Sequence, residues 1–172
     1  MMHPHFIADH IKAAEPGFYI RGSRVLLTDE KSIEEIAKGK LSRIYALSAN
    51  IKNRVNALRI PFLAPLIIKK SNRSDNVSGC NVAFWRQDFI KVNGYNNEIN
   101  GWGHEDIELA ARFINAGIAQ KKVKMMAVCY HLYHSLADRN RETLNFNIYK
   151  NTLQQGIRYC SQGFNKYQQQ YG

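Results

Sequence analysis

Six consecutive residues, Gly101-Trp102-Gly103-His104-Glu105-Asp106, bring two carboxylates, an indole and two glycines to one point of the chain. Glycines let the backbone approach a ligand closely, and an indole offers a flat apolar face to a ring. A carboxylate within hydrogen-bond reach of a hydroxyl can take its proton as that oxygen attacks, so Glu105 and Asp106 form a candidate acid/base pair. The competing reading is structural: acidic residues in a first helical turn complement the helix dipole, and Trp102 is then core. His131 and His134, three apart, are the second candidate. If the chain turns there, both imidazoles reach one divalent ion such as Mn, Zn or Fe. H-x-x-H also arises by chance, and a stacked or hydrogen-bonded structural histidine competes with ligation.

Other chemistries are excluded on spacing. His104-Glu105-Asp106-Ile107-Glu108 is not a zinc-protease H-E-x-x-H, because its fifth residue is Glu. Cys129 lies close to both histidines but has no C-x-x-C partner to complete a structural zinc site. Gly101-x-Gly103 lacks the third glycine and the preceding strand of a dinucleotide fingerprint.

The elements that must position these groups follow from periodicity and punctuation. Ile107, Ala110, Ala111 and Ile114 fall at helical spacing and Gly117 sits where a C-terminal cap belongs, so Glu105 and Asp106 occupy the first turn of a helix. Lys122 to Tyr130 alternates and reads as one strand, buried on both faces, that delivers His131 and His134 at its end. Upstream, Phe6, Ile7, His10, Ile11 and Ala14 predict a helix that ends at Pro16-Gly17. Phe18 to Thr28 reads as a strand interrupted at Gly22-Ser23. Ser32 to Glu35 offers a capping box for a short helix ending near Gly39. Leu41 to Leu58 is expected as a longer amphipathic helix with Arg43, Lys52, Arg54 and Arg59 on or near its polar side. Lys69 to Asn76 reads as a mobile loop, Val77 to Trp85 as a short apolar segment and Arg86 to Val92 as a turn or two of helix. Asn93-Gly94 is a turn signal, and Arg139 to Leu153 predicts a helix. Gln154 to Gly172 carries no clear pattern.

The 172 residues are 45% hydrophobic, enough for a core, and are expected to form a single domain over 1–172. Lys and Arg number 24 against 14 Asp and Glu, a formal charge of +10, which suits a nucleotide phosphate, nucleic acid or anionic lipid. The longest apolar run, Ile60 to Ile68, is broken by Pro61 and Pro65 and is far short of the roughly 20 residues of a membrane span. Met1 to His5 carries no basic flank leading into an apolar stretch, so no secretory signal is expected, and three scattered cysteines suit a reducing cytoplasm.

Four segments, in order and spacing, carry a resemblance. Gly79-Cys80-Asn81-Val82-Ala83-Phe84-Trp85-Arg86, Val92-Asn93-Gly94-Tyr95, Gly101-Trp102-Gly103-His104-Glu105-Asp106 and His131-Leu132-Tyr133-His134 resemble the C-terminal half of GT-A glycosyltransferases. The likeness is to bacterial family-2 enzymes with a galactosyltransferase-like C-terminal region, similar to β-1,4-galactosyltransferases and chondroitin polymerases. It extends more weakly back through Gly22-Ser23-Arg24. The resemblance implies an α/β fold: a partial GT-A domain, its acceptor-side half, with a mixed sheet and flanking helices. It implies an inverting transfer from a UDP-sugar to an oligosaccharide or lipid-linked glycan acceptor in surface polysaccharide synthesis. In that family pattern Asp106 is the base, and Trp102, Gly103 and Glu105 hold the acceptor. Arg24, Gly79 and Cys80 lie on the donor and phosphate side. His134, with His131 as a second ligand, binds Mn²⁺ or Mg²⁺ on the donor diphosphate. The family's Asp-x-Asp motif, which completes the metal site, is absent from this sequence. The chain therefore reads as an acceptor-side part that transfers poorly alone, and self-association of the apolar surface left uncovered is expected.

Rival readings belong to other classes. A nucleic-acid module would use Lys69, Lys70 and Arg73, but the basic residues are scattered and no recognised motif is present, so no nucleic-acid partner is expected. Lys52, Arg54 and Arg59 flank Ile60 to Ile68, which points to a peripheral contact at the inner membrane face; the competing reading is a core segment beside a solvated helix face. A non-catalytic glycan-binding role is the alternative for the site itself.

Overall fold

The interruption at Gly22-Ser23 divides the fold. In the computed structural model, which describes residues 1–39, 44–135 and 137–166, β1 (Phe18–Arg21) and β2 (Arg24–Leu27) belong to different sheets. The segment expected as one strand, Lys122 to Tyr130, is likewise two: β6 (Ala119–Lys122) and β7 (Cys129–His131). Between them Met125 and Ala127 take left-handed φ of 57° and 49°. β1 pairs in parallel with β6, and β2 in parallel with β7, so the two partners must bend at the same level. Buried Asn81 is the physical reason. Its side-chain amide donates to Ser23 O at 2.6 Å and Ala127 O at 2.9 Å, satisfying two carbonyls that the break removes from any ladder. A Cβ on residue 22 would come within 2.3 Å of that amide, so the bend requires glycine there.

The larger sheet has the order β4-β6-β1-β5, with β4 at Lys69–Ser71 and β5 at Val82–Ala83; the smaller is β3-β2-β7, with β3 at Ile51–Lys52. Both mix parallel and antiparallel pairs. Six helices flank them among the described residues: α1 (Phe6–Ala13), α2 (Asp29–Ala37), α3 (Ala64–Ile67), α4 (Arg86–Lys91), α5 (Glu105–Asn115) and α6 (Glu142–Gln154). This mixed α/β architecture is consistent with the expected partial nucleotide-sugar transferase fold. Among the described residues no helix is long and apolar enough to cross a membrane.

Several expectations are corrected. Of the helix expected over Leu41 to Leu58, Leu41 to Arg43 lie outside the described residues. The remainder is irregular chain, β3 and a 3-10 turn at Arg54–Ala57. Asn50 and Asn53 take left-handed φ of 59° and 57°, which ends any helix, and Ile51 pairs with Leu27. The apolar period is only partly buried: Ile44 and Ile51 pack with Val25, Leu27, Val128 and Tyr130, whereas Leu47 is 94% exposed. The expected loop at Lys69 to Asn76 begins as β4, an edge strand whose lysines discourage further pairing. α2 starts before the predicted capping box: Thr28 is its N-cap, accepting from Lys31 N, and Ser32 lies inside, donating to Thr28 O and accepting from Tyr133 N. In α1 the inward face is Phe6, Asp9, His10 and Ala13, while Ile7 and Ile11 point outward.

Candidate active site

α5 begins where the chain turns sharply. Gly101, Gly103 and His104 have φ of 74°, 102° and 72°, a sequence of left-handed residues that glycine makes inexpensive. The loop is pinned from α6, where Asn145, wholly buried, donates to Asn100 O at 3.0 Å and Trp102 O at 3.2 Å. Trp102 stays 37% exposed, with the Arg139 guanidinium 4.3 Å from its ring centre over one face. His104 packs against Phe146 at 5.0 Å between ring centres.

Asp106, in the first turn of α5, has both oxygens engaged. Oδ2 accepts the Gly79 N–H at 2.5 Å, and Oδ1 accepts the Tyr95 hydroxyl at 3.2 Å. Each oxygen keeps a second lone pair for a ligand. Gly79 opens a 3-10 turn, Gly79–Asn81, and a Cβ there would lie 2.7 Å from Asp106 Oδ1, so glycine is needed for the approach. Burial, then the charge of Asp106 and the bond to it, pushes the Tyr95 phenol well above its usual range, so it remains a donor. Glu105 stands exposed beside it.

A buried ion pair lies behind this wall. Arg112 donates through Nε and Nη2 to Glu108 at 2.8–3.1 Å and through Nη1 to Val92 O at 2.5 Å; Thr152 of α6 donates to Glu108 Oε1 at 3.1 Å. The network ties α5 to α6 and to the segment that carries Asn93-Gly94-Tyr95.

The opposite wall comes from the smaller sheet. Arg24 of β2 donates to Cys80 Sγ at 3.6 Å. The neighbouring Cys129 thiol, and after it Arg24, hold the Cys80 thiol below its usual range despite burial. His131 ends β7, and its Nε2 lies 3.2 Å from His134 Nε2. His134 Nδ1 is 2.9 Å from Ser135 O; donation there leaves Nε2 unprotonated, accepting a hydrogen bond from His131 Nε2 in the absence of a cation. A 3.2 Å separation matches the roughly 3.0–3.4 Å edge between neighbouring nitrogen ligands of a first-row cation bound at about 2.1 Å. The pair therefore fits as two ligands, and among the described residues no third His, Cys, Asp or Glu joins them.

Arg24, Gly79, Cys80, Trp102, Gly103, Glu105, Asp106 and His131 all line one cleft of about 420 Å³, and His134 joins it through His131. A larger cavity of about 560 Å³, lined by His3, His5, Tyr45, Arg59 and Tyr130 among others, contains none of them. Three supporting residues were assigned no role from sequence: Asn145 reads as one polar position of a helix, while Tyr95 and Asn81 fall within the segments that carry the resemblance, the one at the end of a turn and the other in a short apolar segment. Their partners are 11 to 71 residues away.

Residues 67–135 match the family model described as the N-terminal domain of galactosyltransferase. That stretch, about two fifths of the chain, is similar to a galactosyltransferase domain; it includes Gly79, Cys80, the 101–106 loop and both histidines, and leaves out Arg24 and α6. No curated protein and no solved structure matches the chain.

Proposed function

We propose that this chain supplies the acceptor site and catalytic base of an inverting glycosyltransferase that uses a UDP-sugar of galactose type. The observation that carries the reading is the placement of Asp106: a carboxylate fixed by Gly79 and Tyr95 in a cleft that also presents Trp102 and His131. An acceptor hydroxyl hydrogen-bonded to a free lone pair of Asp106 gives its proton to that oxygen as it attacks the anomeric carbon. The bond from that carbon to the diphosphate oxygen breaks on the far side, and its electron pair leaves with the nucleotide. Trp102 packs on the acceptor ring and Glu105 orients its hydroxyls, with Gly103 giving the backbone its close approach. Arg24 faces the phosphate side, beside Gly79 and Cys80.

His131 and His134 would hold Mn²⁺ or Mg²⁺, which supplies charge neutralisation to the departing diphosphate. The remaining ligands, including an Asp-x-Asp, come from outside this sequence, so transfer by this chain alone is weak. The acceptor is an oligosaccharide or lipid-linked glycan of a surface polysaccharide, and the setting is cytoplasmic.

The test is transfer from UDP-galactose, UDP-N-acetylgalactosamine and UDP-glucose with Mn²⁺, using the chain together with whatever segment supplies the Asp-x-Asp. Asp106→Asn lowers the rate by about 10²- to 10⁴-fold and leaves acceptor affinity unchanged. Undiminished transfer by Asp106→Asn sinks the assignment of the base. The missing Asp-x-Asp supports a second reading, a glycan-binding module without catalysis; it predicts acceptor binding with no transfer from any donor.

A further inference from the structure

Two of the three cysteines meet beside the cleft. Cys80 follows Gly79, whose N–H holds Asp106, and Cys129 opens β7, two residues before His131. Arg24 adjoins both: it lies opposite Cys129 in the register of β2 with β7, and it donates to Cys80 Sγ at 3.6 Å. Cys129 Sγ donates to Cys80 O at 3.3 Å, and the two thiols are hydrogen-bonded to each other. The fold thus sets sulphur against sulphur across 49 residues of chain.

The two thiols differ in access. Cys80 is exposed and lines the cleft, so a small oxidant reaches it from solvent, whereas Cys129 is 5% exposed. An accessible thiol backed by a second thiol is the arrangement in which a first oxidation product closes to a disulfide before it is oxidised further. Cys160 supplies an internal contrast. It is buried, and its sulphur faces the carbonyls of Val92, Asn93, Gly94 and Tyr95 at 3.6–4.0 Å. The transfer chemistry described above gives none of the three a covalent step.

We propose that Cys80 and Cys129 are a redox-reactive pair, Cys80 taking oxidation by a hydroperoxide and Cys129 resolving it as a disulfide. The Cys80 sulphur attacks one peroxide oxygen, the O–O bond breaks, and water leaves from a Cys80 sulfenic acid. The Cys129 sulphur then attacks the Cys80 sulphur; the S–S bond forms, the S–O bond breaks, and the hydroxyl leaves as water with the Cys129 proton. Two thiols give two electrons and two protons to one hydrogen peroxide, which becomes two waters. A low-molecular-weight thiol reverses the step by exchange, so the bond suits a reducing compartment as a transient state. While it lasts, the bond staples the Gly79–Asn81 turn to β7. The inference rests on the thiol geometry and holds under either reading of the cleft.

The test is treatment of the reduced full chain with an equivalent of hydrogen peroxide, followed by thiol counting and a tryptic map. Cleavage after Lys and Arg puts each cysteine on its own peptide, so the map identifies the link directly. The expected result is loss of two of the three thiols, a mass lower by about 2 Da for the two hydrogens removed, and a peptide joining Cys80 to Cys129. Dithiothreitol restores all three. In urea the preference should move to Cys129 with Cys160, the shorter loop, because chain entropy then chooses the pair. In Cys129→Ser the Cys80 sulfenic acid has no resolving thiol and is trapped by dimedone, whereas the unmutated chain gives little adduct. Three intact thiols after peroxide overturn the proposal. So does a link to Cys160 or between two chains in the folded protein, or equal dimedone trapping with and without Cys129, and the map of the unmutated chain decides even if a variant fails to fold.

Discussion

The two walls of the cleft are built to different depths. The wall bearing Trp102, Glu105 and Asp106 stands on buried polar groups: Glu108 and Arg112 are almost fully enclosed, and Asn145, Thr152 and Tyr95 each reach it from another segment. The wall bearing Arg24, Cys80, His131 and His134 is the end of a three-stranded sheet, with its polar contacts exposed to solvent. A base must sit within tenths of an ångström of its proton, and buried, fully bonded groups hold that position. Groups that meet a phosphate or a cation gain their order from the ligand, so an open wall suffices.

Replacing Glu108 with Ala should have the largest effect, because it leaves the Arg112 charge buried without a partner. Denaturant unfolding should show a loss of about 3–5 kcal/mol. A loss below about 1 kcal/mol would mean that the network does not support this wall. Gly79→Ala attacks the same wall without touching its foundation. The new Cβ, 2.7 Å from Asp106 Oδ1, displaces the carboxylate, and transfer should fall about 10- to 100-fold while stability changes by less than about 1 kcal/mol. Equal losses of activity and stability would show that Gly79 serves the fold instead.

His134→Ala tests the open wall. Mn²⁺ affinity, read by titration, should drop at least about tenfold, with stability moving by no more than about 0.5 kcal/mol because the side chain is exposed. Unchanged Mn²⁺ binding removes His134 from the ligand set.

The junction between the walls gives the smallest effect, a pH dependence. Asn81 uses its amide nitrogen on Ser23 O and Ala127 O, so its Oδ1 accepts from His10 Nε2 at 3.0 Å, and buried His10 Nδ1 has no partner among the described residues. Burial outweighs the Asn81 bond and the Asp9 charge and lowers the His10 pKa below 6.5. The unfolded chain therefore binds a proton that the folded chain refuses, and stability falls as pH drops through about 6.5. His10→Gln should flatten that slope in unfolding measured between neutral and mildly acidic pH; an unaltered slope assigns it to other groups.

Local signals were legible wherever a segment reports on its own backbone. The α5 pattern with Gly117 beyond it, the Asn93-Gly94 turn with φ of 67° and 69°, and the bend at Gly22-Ser23 were all readable in sequence. Strands were harder. The apolar period through Ile44 and Ile51 suits a helix, yet left-handed Asn50 and Asn53 and the ladder with β2 decide otherwise, because strand pairing draws its energy from distant partners. Lys69–Ser71 looks like a loop until β6 supplies an edge.

Sequence alone determined which groups can do chemistry here: two carboxylates at a helix start, an indole between glycines and two histidines three apart, since these depend on residue type and near neighbours. Only the tertiary structure decided that they share a cleft, that Gly79 and Tyr95 grip Asp106, and that Arg59 pairs with Asp9 fifty residues away. The reason is physical: burial, hydrogen-bond satisfaction and charge pairing depend on segments tens of residues apart, and no local period records which of them the fold brings together.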